Sequence, residues 1–227
     1  MLISIVVPVF NEESTVGNII ERLKTTMQEK GFVYEIIVVD DCSEDKSVEI
    51  SKSQKVRVYT LRKHMGKGYA LRMGFAQAKG EITVTIDSDG SHRPEELPRL
   101  LSPILKDEAD FIIGSRFLLE REMSTKRINR LGVHLFNVLI RLLTGKRTSD
   151  SQSGYRAIKS ASLRSLNFKS NEYEIESEML VKAAEKHLRI KEVPVSFEQR
   201  TFGKSMLDPL RDGIKILLSI MLAHMRR

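Results

Sequence analysis

Strand-like and helix-like segments alternate along the first half of the chain, and this order restricts the fold more than any other feature of the sequence. β-Branched apolar runs, typical of buried strands, occupy residues 2–9, 34–40, 56–61, 81–87 and 110–115. Stretches with apolar residues at helical spacing lie between them, among them residues 16–27, 66–78 and 97–105. The alternation predicts an α/β fold with a mostly parallel, twisted sheet and helices on both faces.

The pattern changes after about residue 115. Residues 128–145 form a long apolar stretch with helical spacing, and residues 149–159 read as a polar loop that leads into more helix. A helix, a strand and a closing helix are predicted at 171–187, 190–200 and 209–227. We find no internal repeat and no linker-like segment, so the sequence predicts one domain over residues 1–227 with halves at 1–115 and 116–227.

Carboxylates follow three of the predicted strands directly. Glu12 follows the first strand, Asp41 follows the second, and Asp87 and Asp89 follow the fourth. Each alone is explained by a helix cap or a turn. The carboxyl ends of parallel strands meet at one edge, where such sheets bind ligands, so the four side chains should converge. Clustered carboxylates repel one another, so we expect a metal ion or a Lys/Arg cluster among them.

The charge is distributed unevenly. The formal net charge is +7, of which residues 114–147 carry +6 and residues 199–227 carry +4, leaving about −3 for the rest. A basic second half beside an acidic first half suggests a phosphate-rich ligand or an anionic surface. No aromatic residues are interleaved with the basic ones and no recognition-helix motif is present, so we expect no nucleic-acid partner.

The two remaining compositional features are a single cysteine and an apolar N-terminus. Cys42 alone excludes an intramolecular disulfide and any site with several cysteine ligands. The opening MLISIVVPVFNEE has no basic n-region, and its apolar run stops at a Pro-Val-Phe-Asn turn, so we interpret it as a strand and not a signal peptide.

Six motifs occur in an order and spacing that resemble a known enzyme family. They are VVPVFNEE, VVDDCSED, IDSDGSHRPEE, GSR, DSQSGYR and EVPVSFEQRTFGKS. With them the chain resembles the family-2 inverting glycosyltransferases of the GT-A fold over nearly its whole length. The SGYR loop and the final Arg-x-x-Gly-x-Ser resemble the branch that transfers sugars to dolichyl or polyprenyl phosphates, such as the dolichol-phosphate mannosyltransferases.

The resemblance implies a nucleotide-sugar donor, GDP-mannose or a UDP-sugar, bound by the first half of the chain. Pro8, Phe10 and Glu12 would line the nucleotide pocket, mostly through their backbone. Val39 and Asp41 would contact the base or the ribose.

The resemblance also implies a divalent cation, Mg²⁺ or Mn²⁺, that bridges the protein and the donor diphosphate. Asp87, Ser88 and Asp89 would hold the diphosphate and the metal, because a hard cation prefers carboxylate and phosphate oxygens. Ser91 would be a further metal ligand, at a position where family members often carry Gln. Glu174 stands where related mannosyltransferases can carry a basic residue, which leaves the donor sugar open.

The implied acceptor is a polyprenyl or dolichyl phosphate bound by the second half. Arg130, Arg200 and Ser205 match residues that hold its phosphate in this branch, and Arg116 could reach the donor diphosphate. Together with Asp89, the three arginines are the expected catalytic residues. A phosphomonoester is largely a dianion at neutral pH, so such an acceptor needs no general base.

A lipid acceptor implies contact with a membrane. Residues 131–147 and 213–227 combine apolar residues with basic flanks, as helices in the headgroup plane do. We therefore expect peripheral attachment to the cytoplasmic face of a membrane, mainly through the C-terminal helix. Packing of both helices on the sheet is the alternative, in which case a membrane protein would bring the enzyme to its lipid.

Three other functions are consistent with parts of the sequence. A related transferase could act on a sugar hydroxyl in polysaccharide or glycolipid synthesis. The stretch IDSDGS is close to the Asp-x-Asp-Gly-Thr motif of haloacid-dehalogenase-like phosphatases, although that motif normally opens its domain and here 86 residues precede it. A non-catalytic nucleotide-sugar binder would bind the donor without turning it over.

Overall fold

A single mixed sheet of seven strands organises the part of the chain that the computed structural model describes. This part is residues 1–118, 127–198 and 211–225, with the backbone alone described at 127–130, 211, 224 and 225. The strand order is β3-β2-β1-β4-β6-β5-β7, and β6 is antiparallel to both of its neighbours while the other pairs are parallel. The strands are β1 (Leu2–Val9), β2 (Val33–Asp40), β3 (Arg57–Thr60), β4 (Ile82–Thr85), β5 (Phe111–Ser115), β6 (Arg156–Lys159) and β7 (Ile190–Pro194).

Helices cover both faces of the sheet, as the alternating pattern predicted. On one face α1 and α4 pack against the inward side chains of β1, β2 and β4, and on the other α5, α7 and α8 pack against β5 and β6. The helices are α1 (Val16–Glu29), α2 (Ser47–Ser53), α3 (Lys67–Gln77), α4 (Leu97–Leu105), α5 (Arg127–Thr144), α6 (Ser160–Arg164), α7 (Ile175–Glu185) and α8 (Arg211–Met225), with a short 3₁₀ turn at Pro94–Glu96. The predicted fold class is confirmed.

The central strand β1 shows why the sequence pattern was informative. Ile5 and Val7 lie in the core on one face of the sheet and Val6 lies in the core on the other. A strand covered on both faces needs apolar residues at consecutive positions, which is the continuous run seen in the sequence.

One element was predicted wrongly. Residues 149–159 were expected to be a loop leading into helix, but residues 156–159 form β6 between β4 and β5. The four residues Arg-Ala-Ile-Lys show no strand pattern because the first is a buried arginine and the last carries a charge. Hydrogen bonds to the strands on both sides fix β6, so tertiary context decides this element.

The carboxyl ends of β1, β2 and β4 meet at one edge of the sheet. The Ser88 hydroxyl, after β4, donates to the carbonyl oxygen of Pro8 in β1 at 2.8 Å. The backbone N–H of Asn11, after β1, donates to Ser43 Oγ after β2 at 2.9 Å. Because β6 is antiparallel, the segment before it also reaches this edge, together with the residues that follow β5.

Candidate active site

A partly buried lysine lies between two carboxylates at the carboxyl end of β4. Lys67 Nζ is 2.7 Å from Asp87 Oδ1 and 2.7 Å from Glu176 Oε1. Burial alone would lower the pKa of Lys67, but the two carboxylates outweigh it and hold this pKa above its ordinary value. Burial alone would raise the pKa of Asp87, and Lys67 more than offsets it, so the Asp87 pKa is lowered. Lys67 therefore supplies the positive charge that Asp87 required.

Two glycines place Lys67 at this position. Gly66 and Gly68 flank it at the start of α3, and Gly66 has a φ of +93°. A Cβ on Gly68 would lie 2.8 Å from the carbonyl oxygen of Ser170, so only glycine lets residues 170–172 pack on this turn. The N–H of Tyr69 donates to the carbonyl oxygen of Asn171 at 3.0 Å, which ties α3 to the segment that leads to Glu176.

Asp89 is held by its own turn and remains partly exposed. Its Oδ1 accepts hydrogen bonds from the Ser91 N–H at 3.0 Å and from the Ser91 hydroxyl at 2.7 Å. Gly90, with a φ of +80°, makes this turn possible. The Ser91 hydroxyl is buried and donates to Asp89, so the structure shows it orienting the carboxylate.

The donor atoms at this edge suit a divalent cation that is shared with a substrate. In residues 1–118, 127–198 and 211–225, no group of three or more His, Cys, Asp and Glu side chains could hold an ion by itself. Asp89 Oδ2 accepts no hydrogen bond within those residues, and carboxylate oxygens suit Mg²⁺ or Mn²⁺. The residues therefore fit a metal ion that takes its remaining ligands from phosphate and water.

A second ion pair lies at the carboxyl end of β5. Arg116 Nε is 2.6 Å from Asp150 Oδ2, Arg116 Nη2 is 2.7 Å from Oδ1, and the Arg116 N–H donates to Oδ2 at 3.1 Å. Burial would raise the pKa of the fully buried Asp150, but Arg116 outweighs it and lowers that pKa. Arg116 is near enough to Asp87 to contribute to lowering the Asp87 pKa as well.

The SGYR segment, residues 153–156, lies directly against Asp87. A Cβ on Gly154 would lie 2.8 Å from Asp87 Cγ, so the backbone of this segment passes directly against the carboxylate. Arg156, fully buried, donates to the carbonyl oxygens of Ser153 and Ser151, both at 2.7 Å, and of Glu176 at 2.6 Å. The arginine of the motif is therefore a structural clamp that joins the segment to α7.

His92 and Tyr155 form an aromatic pair near the carboxylates of the site. The two rings pack with their centroids 5.2 Å apart, and the Tyr155 hydroxyl donates to the carbonyl oxygen of Arg93 at 3.3 Å. Burial lowers the pKa of His92 to about 4, so its ring is neutral at neutral pH.

The tips of β1 and β2 carry an aromatic pair supported by Asp41. Asp41 Oδ1 accepts from the Met65 N–H at 2.7 Å, and Oδ2 accepts from the Gly66 N–H at 2.7 Å. His64 Nδ1 is 2.9 Å from Asp41 Oδ2, and the His64 ring packs on Phe10 with centroids 4.2 Å apart.

The residues expected from the sequence are distributed unequally over this edge. Asp87, Ser88, Asp89, Ser91 and Arg116 lie around the carboxyl end of β4 and its neighbours, and Pro8, Phe10, Glu12 and Asp41 lie at the tips of β1 and β2. The Val39 side chain is instead buried in a small core with Ile37, Leu61 and Ala70.

The side chains of three other expected residues lie outside the described part of the chain. Arg200 and Ser205 lie outside the described residues, and Arg130 lies in the first turn of α5 where only the backbone is described. Glu174 Oε1 accepts from the Asn171 N–H at 3.3 Å at the start of α7.

Sequence reasoning missed four charged or aromatic members of the site. They are Lys67, Asp150, Glu176 and His92. The glycines on either side of Lys67 were the available signal, because a charged residue between two glycines at a helix start is poorly explained by helix formation alone.

Comparison with known proteins identifies the class. The profile of Glycosyl transferase family 2 matches residues 4–166, and the chain belongs to this family. It is 34% identical over 226 residues to Uncharacterized protein MJ1222 of Methanocaldococcus jannaschii, covering 97% of this chain and 91% of that protein. It is 28% identical to UDP-N-acetylglucosamine--dolichyl-phosphate N-acetylglucosaminyltransferase of Methanococcus voltae, covering 99% and 96%.

Two further similarities extend the comparison. The chain is 29% identical to dolichol-phosphate mannosyltransferase of Pyrococcus furiosus, covering 91% of this chain and 59% of that protein. It superposes with a TM-score of 0.79 and 23% identity on glucosyl-3-phosphoglycerate synthase from Mycobacterium tuberculosis, crystallised with Mn²⁺, UDP and glucosyl-3-phosphoglycerate, covering 98% and 79%. The likeness shows the GT-A-type fold, and with the family match it defines the chain as a glycosyltransferase.

Proposed function

We propose that this glycosyltransferase moves a sugar from a nucleotide-sugar donor to a polyprenyl or dolichyl phosphate, with inversion at the anomeric carbon. Two relatives are named for dolichyl-phosphate substrates, and a third, from Edwardsiella ictaluri, is an undecaprenyl-phosphate 4-deoxy-4-formamido-L-arabinose transferase. Residues 1–115 would bind the donor and residues 116–227 the acceptor.

The observation that carries the proposal is the mixture of charges at the carboxyl end of β4. The partly exposed Asp89 is two residues from Asp87, Lys67 Nζ lies 2.7 Å from Asp87, and Arg116 is near enough to help lower the Asp87 pKa. A nucleotide diphosphate and a lipid phosphate are both anionic, and fixed cations in a buried site stabilise such groups strongly. The acceptor side would add Arg130, Arg200 and Ser205, whose side chains remain predictions.

The pairing of the site carboxylates favours an acceptor that arrives already ionised. Asp150 is paired with Arg116 and has a lowered pKa, and Glu176 is paired with Lys67. A carboxylate held in this way is a poor general base for a sugar hydroxyl. A phosphate dianion needs no such base.

The reaction is then a single in-line displacement. An oxygen of the acceptor phosphate forms a bond to the anomeric carbon, while the bond from that carbon to the diphosphate oxygen breaks and the nucleoside diphosphate leaves with the electron pair. Bound Mg²⁺ or Mn²⁺ would neutralise the charge that develops on the leaving diphosphate. Asp89 and Asp87 would hold the metal ion. Lys67 and Arg116 would hold the two anionic substrates close together.

Turnover assays separate this proposal from its alternatives. The protein is incubated with polyprenyl phosphate, Mg²⁺ or Mn²⁺ and a panel of UDP- and GDP-sugars, and we expect a lipid-linked sugar from at least one donor. Donor binding without turnover would instead indicate a nucleotide-sugar binder. Hydrolysis of a generic phosphate ester without nucleotide would indicate a phosphatase, an alternative that the family assignment already opposes.

The outer faces of α5 and α8 support peripheral contact with a membrane. Phe136 and Ile140 of α5 and Ile216 and Ile220 of α8 face the core, while apolar residues on the opposite faces are 41–77% exposed. These exposed residues are Leu131, Leu135, Val138 and Leu142 on α5 and Ile214, Leu218, Met221 and Leu222 on α8. No helix in the described ranges is long and apolar enough to cross a bilayer.

We define these eight residues as the apolar stripe and propose that it lies in the headgroup region of an anionic membrane, on the cytoplasmic face. Arg141 and Arg147 flank it on the α5 side and are exposed. The α5 helix therefore shares this role with α8, which the sequence analysis favoured as the main contact. Attachment would bring the enzyme to a lipid acceptor without a membrane-protein partner.

We expect the double substitution Leu142→Glu and Leu218→Glu to weaken binding to anionic liposomes by at least about tenfold, because it places two charges in the apolar stripe. Co-sedimentation with liposomes at low and high salt measures this. Val33→Glu changes an equally exposed apolar residue at the start of β2 and should bind like the wild type. Equal binding by the double variant and the wild type would remove the stripe from membrane attachment.

A further inference from the structure

The lysine of the candidate site is shared by two carboxylates. Lys67 Nζ lies 2.7 Å from Asp87 Oδ1 and 2.7 Å from Glu176 Oε1. The Glu176 side chain is 4% exposed, and its two oxygens accept a hydrogen bond from no other group in residues 1–118, 127–198 and 211–225. A buried carboxylate without other partners needs the lysine, so Glu176 holds Lys67 at the place where it reaches Asp87.

The contact with Lys67 occupies an oxygen that the proposed metal ion would use. Asp87 Oδ1 faces Lys67, and Asp87 Oδ2 lies against the backbone of Gly154, where a Cβ would clash with it. Asp89 Oδ1 is held by Ser91, which leaves Asp89 Oδ2 without a hydrogen bond from the described residues. Because Mg²⁺ and Mn²⁺ take about six oxygen ligands, these carboxylates offer too few to a metal ion that binds without a substrate.

The charges around Asp87 also oppose a metal ion that arrives alone. Asp87, Asp89 and Glu176 carry three negative charges and Lys67 carries one positive charge, which leaves a sum of −2. The ammonium group adjoins a proposed metal ligand, so it would repel a divalent cation bound there. A diphosphate changes this balance, because its oxygens are anionic partners for the metal ion and for the lysine.

We propose that Lys67 competes with the metal ion for Asp87, so that the site binds Mg²⁺ or Mn²⁺ weakly until a nucleoside diphosphate is present. The diphosphate would draw the ammonium group towards itself and leave Asp87 to the metal ion. Lys67 then couples the binding of the two ligands, and each ligand raises the affinity for the other by the same factor. This inference rests on the proposed donor function.

Titration calorimetry with Mn²⁺ and no nucleotide tests the competition. We expect Lys67→Met to bind Mn²⁺ at least about tenfold more tightly than the wild type, because three negative charges remain unopposed and Asp87 Oδ1 becomes available. Glu176→Gln should bind Mn²⁺ at least about threefold more weakly, because one negative charge is lost and Asp87 becomes the only carboxylate that pairs with Lys67. Adding Asp89→Asn to Lys67→Met should remove the gain, which places the gained binding at this site.

The coupling is measured by titrating UDP and GDP into the protein with saturating Mn²⁺ and again in excess chelator. For whichever nucleotide binds the wild type, Mn²⁺ should raise its affinity by at least about tenfold, and this factor should be at least about fivefold smaller in Lys67→Met. Both factors are corrected for the complex that Mn²⁺ forms with the nucleotide in solution. The matched control is Lys191→Met, which removes the cation of an exposed ion pair with Glu108 and should bind both ligands as the wild type does.

The outcomes separate the role of Lys67 from the donor function. If the wild type binds UDP or GDP but Lys67→Met binds Mn²⁺ alone no more tightly than the wild type, the competition is disproved and the donor function stands. If thermal unfolding shows that Lys67→Met does not fold, Glu176→Gln decides, and binding of Mn²⁺ as tight as that of the wild type would disprove the competition. If the wild type binds neither nucleotide with Mn²⁺ present, the donor function and the coupling fall together.

Discussion

Asp89→Asn should reduce sugar transfer by at least about 10²–10³-fold while leaving the fold intact. The amide oxygen can still accept the hydrogen bonds from Ser91 N and Oγ, at 3.0 and 2.7 Å in the native structure, so the turn is preserved. The lost charge removes the partly exposed carboxylate proposed to hold the metal ion. Stabilisation of developing charge by a metal is worth several kcal/mol, and each ~1.4 kcal/mol is a factor of ten in rate.

Steady-state kinetics over a range of Mn²⁺ concentrations measure this effect, with thermal unfolding as the check on the fold. The matched control is Glu108→Gln, since Glu108 forms an exposed ion pair with Lys191 at 2.9 Å before β5, at the other edge of the sheet. The control should be as active as the wild type. Full activity of Asp89→Asn, or of the wild type in excess chelator, would contradict a metal role for this residue.

Lys67→Met should be the most damaging of the substitutions considered, because it affects both stability and activity. It leaves the buried Glu176 and the partly buried Asp87 without the cation that lies 2.7 Å from each. Breaking a fully buried pair typically costs about 3–5 kcal/mol, because an uncompensated charge remains. The loss here should be smaller, because Lys67 and Asp87 keep some contact with solvent. Activity should fall as well, since Asp87 loses the group that orients it.

A double variant distinguishes the two effects. Lys67→Met with Glu176→Gln removes one of the stranded charges and should recover part of the lost stability in denaturant unfolding, without recovering turnover. Lys191→Met, which breaks the exposed pair with Glu108, should leave both quantities near those of the wild type. If Lys67→Met unfolds at the same denaturant concentration as the wild type, the ion pairs of Lys67 with Asp87 and Glu176 do not stabilise the fold.

The parallel part of the fold could be predicted because its strands and helices each carry an apolar pattern that is visible in a short stretch of sequence. Strands covered on both faces need continuous apolar runs, and helices that cover them need an apolar stripe, so β1 and α1 are both visible in sequence. Strand β6 has neither signal: it is four residues long and begins with Arg156, whose guanidinium donates to carbonyl oxygens of the loop before it and of Glu176 in α7. The contact with α7 depends on tertiary packing and has no local sequence pattern.

The residues of the site also divide into those with a local sequence signal and those without one. Asp87 and Asp89 could be predicted because two carboxylates directly after a buried strand are hard to explain structurally. Lys67 had only the weaker signal of its two flanking glycines, because its partner Glu176 is distant in sequence and is brought near by the packing of residues 170–172 on those glycines. The sequence suggested a metal or a basic cluster beside Asp87, and the structure shows a lysine there, while Asp89 Oδ2 accepts no hydrogen bond from the described residues.

The acceptor phosphate is the central claim, and a comparison of acceptors tests it most directly. With one radiolabelled donor and Mn²⁺, the protein is offered polyprenyl phosphate, the same polyprenol without its phosphate, and an oligosaccharide, and the labelled products are separated. The charge arrangement around Lys67 and Arg116 predicts label in polyprenyl-phosphate sugar alone. Transfer to the polyprenol or to the oligosaccharide at a comparable rate would contradict the account, because a hydroxyl acceptor needs a base that the paired carboxylates do not supply.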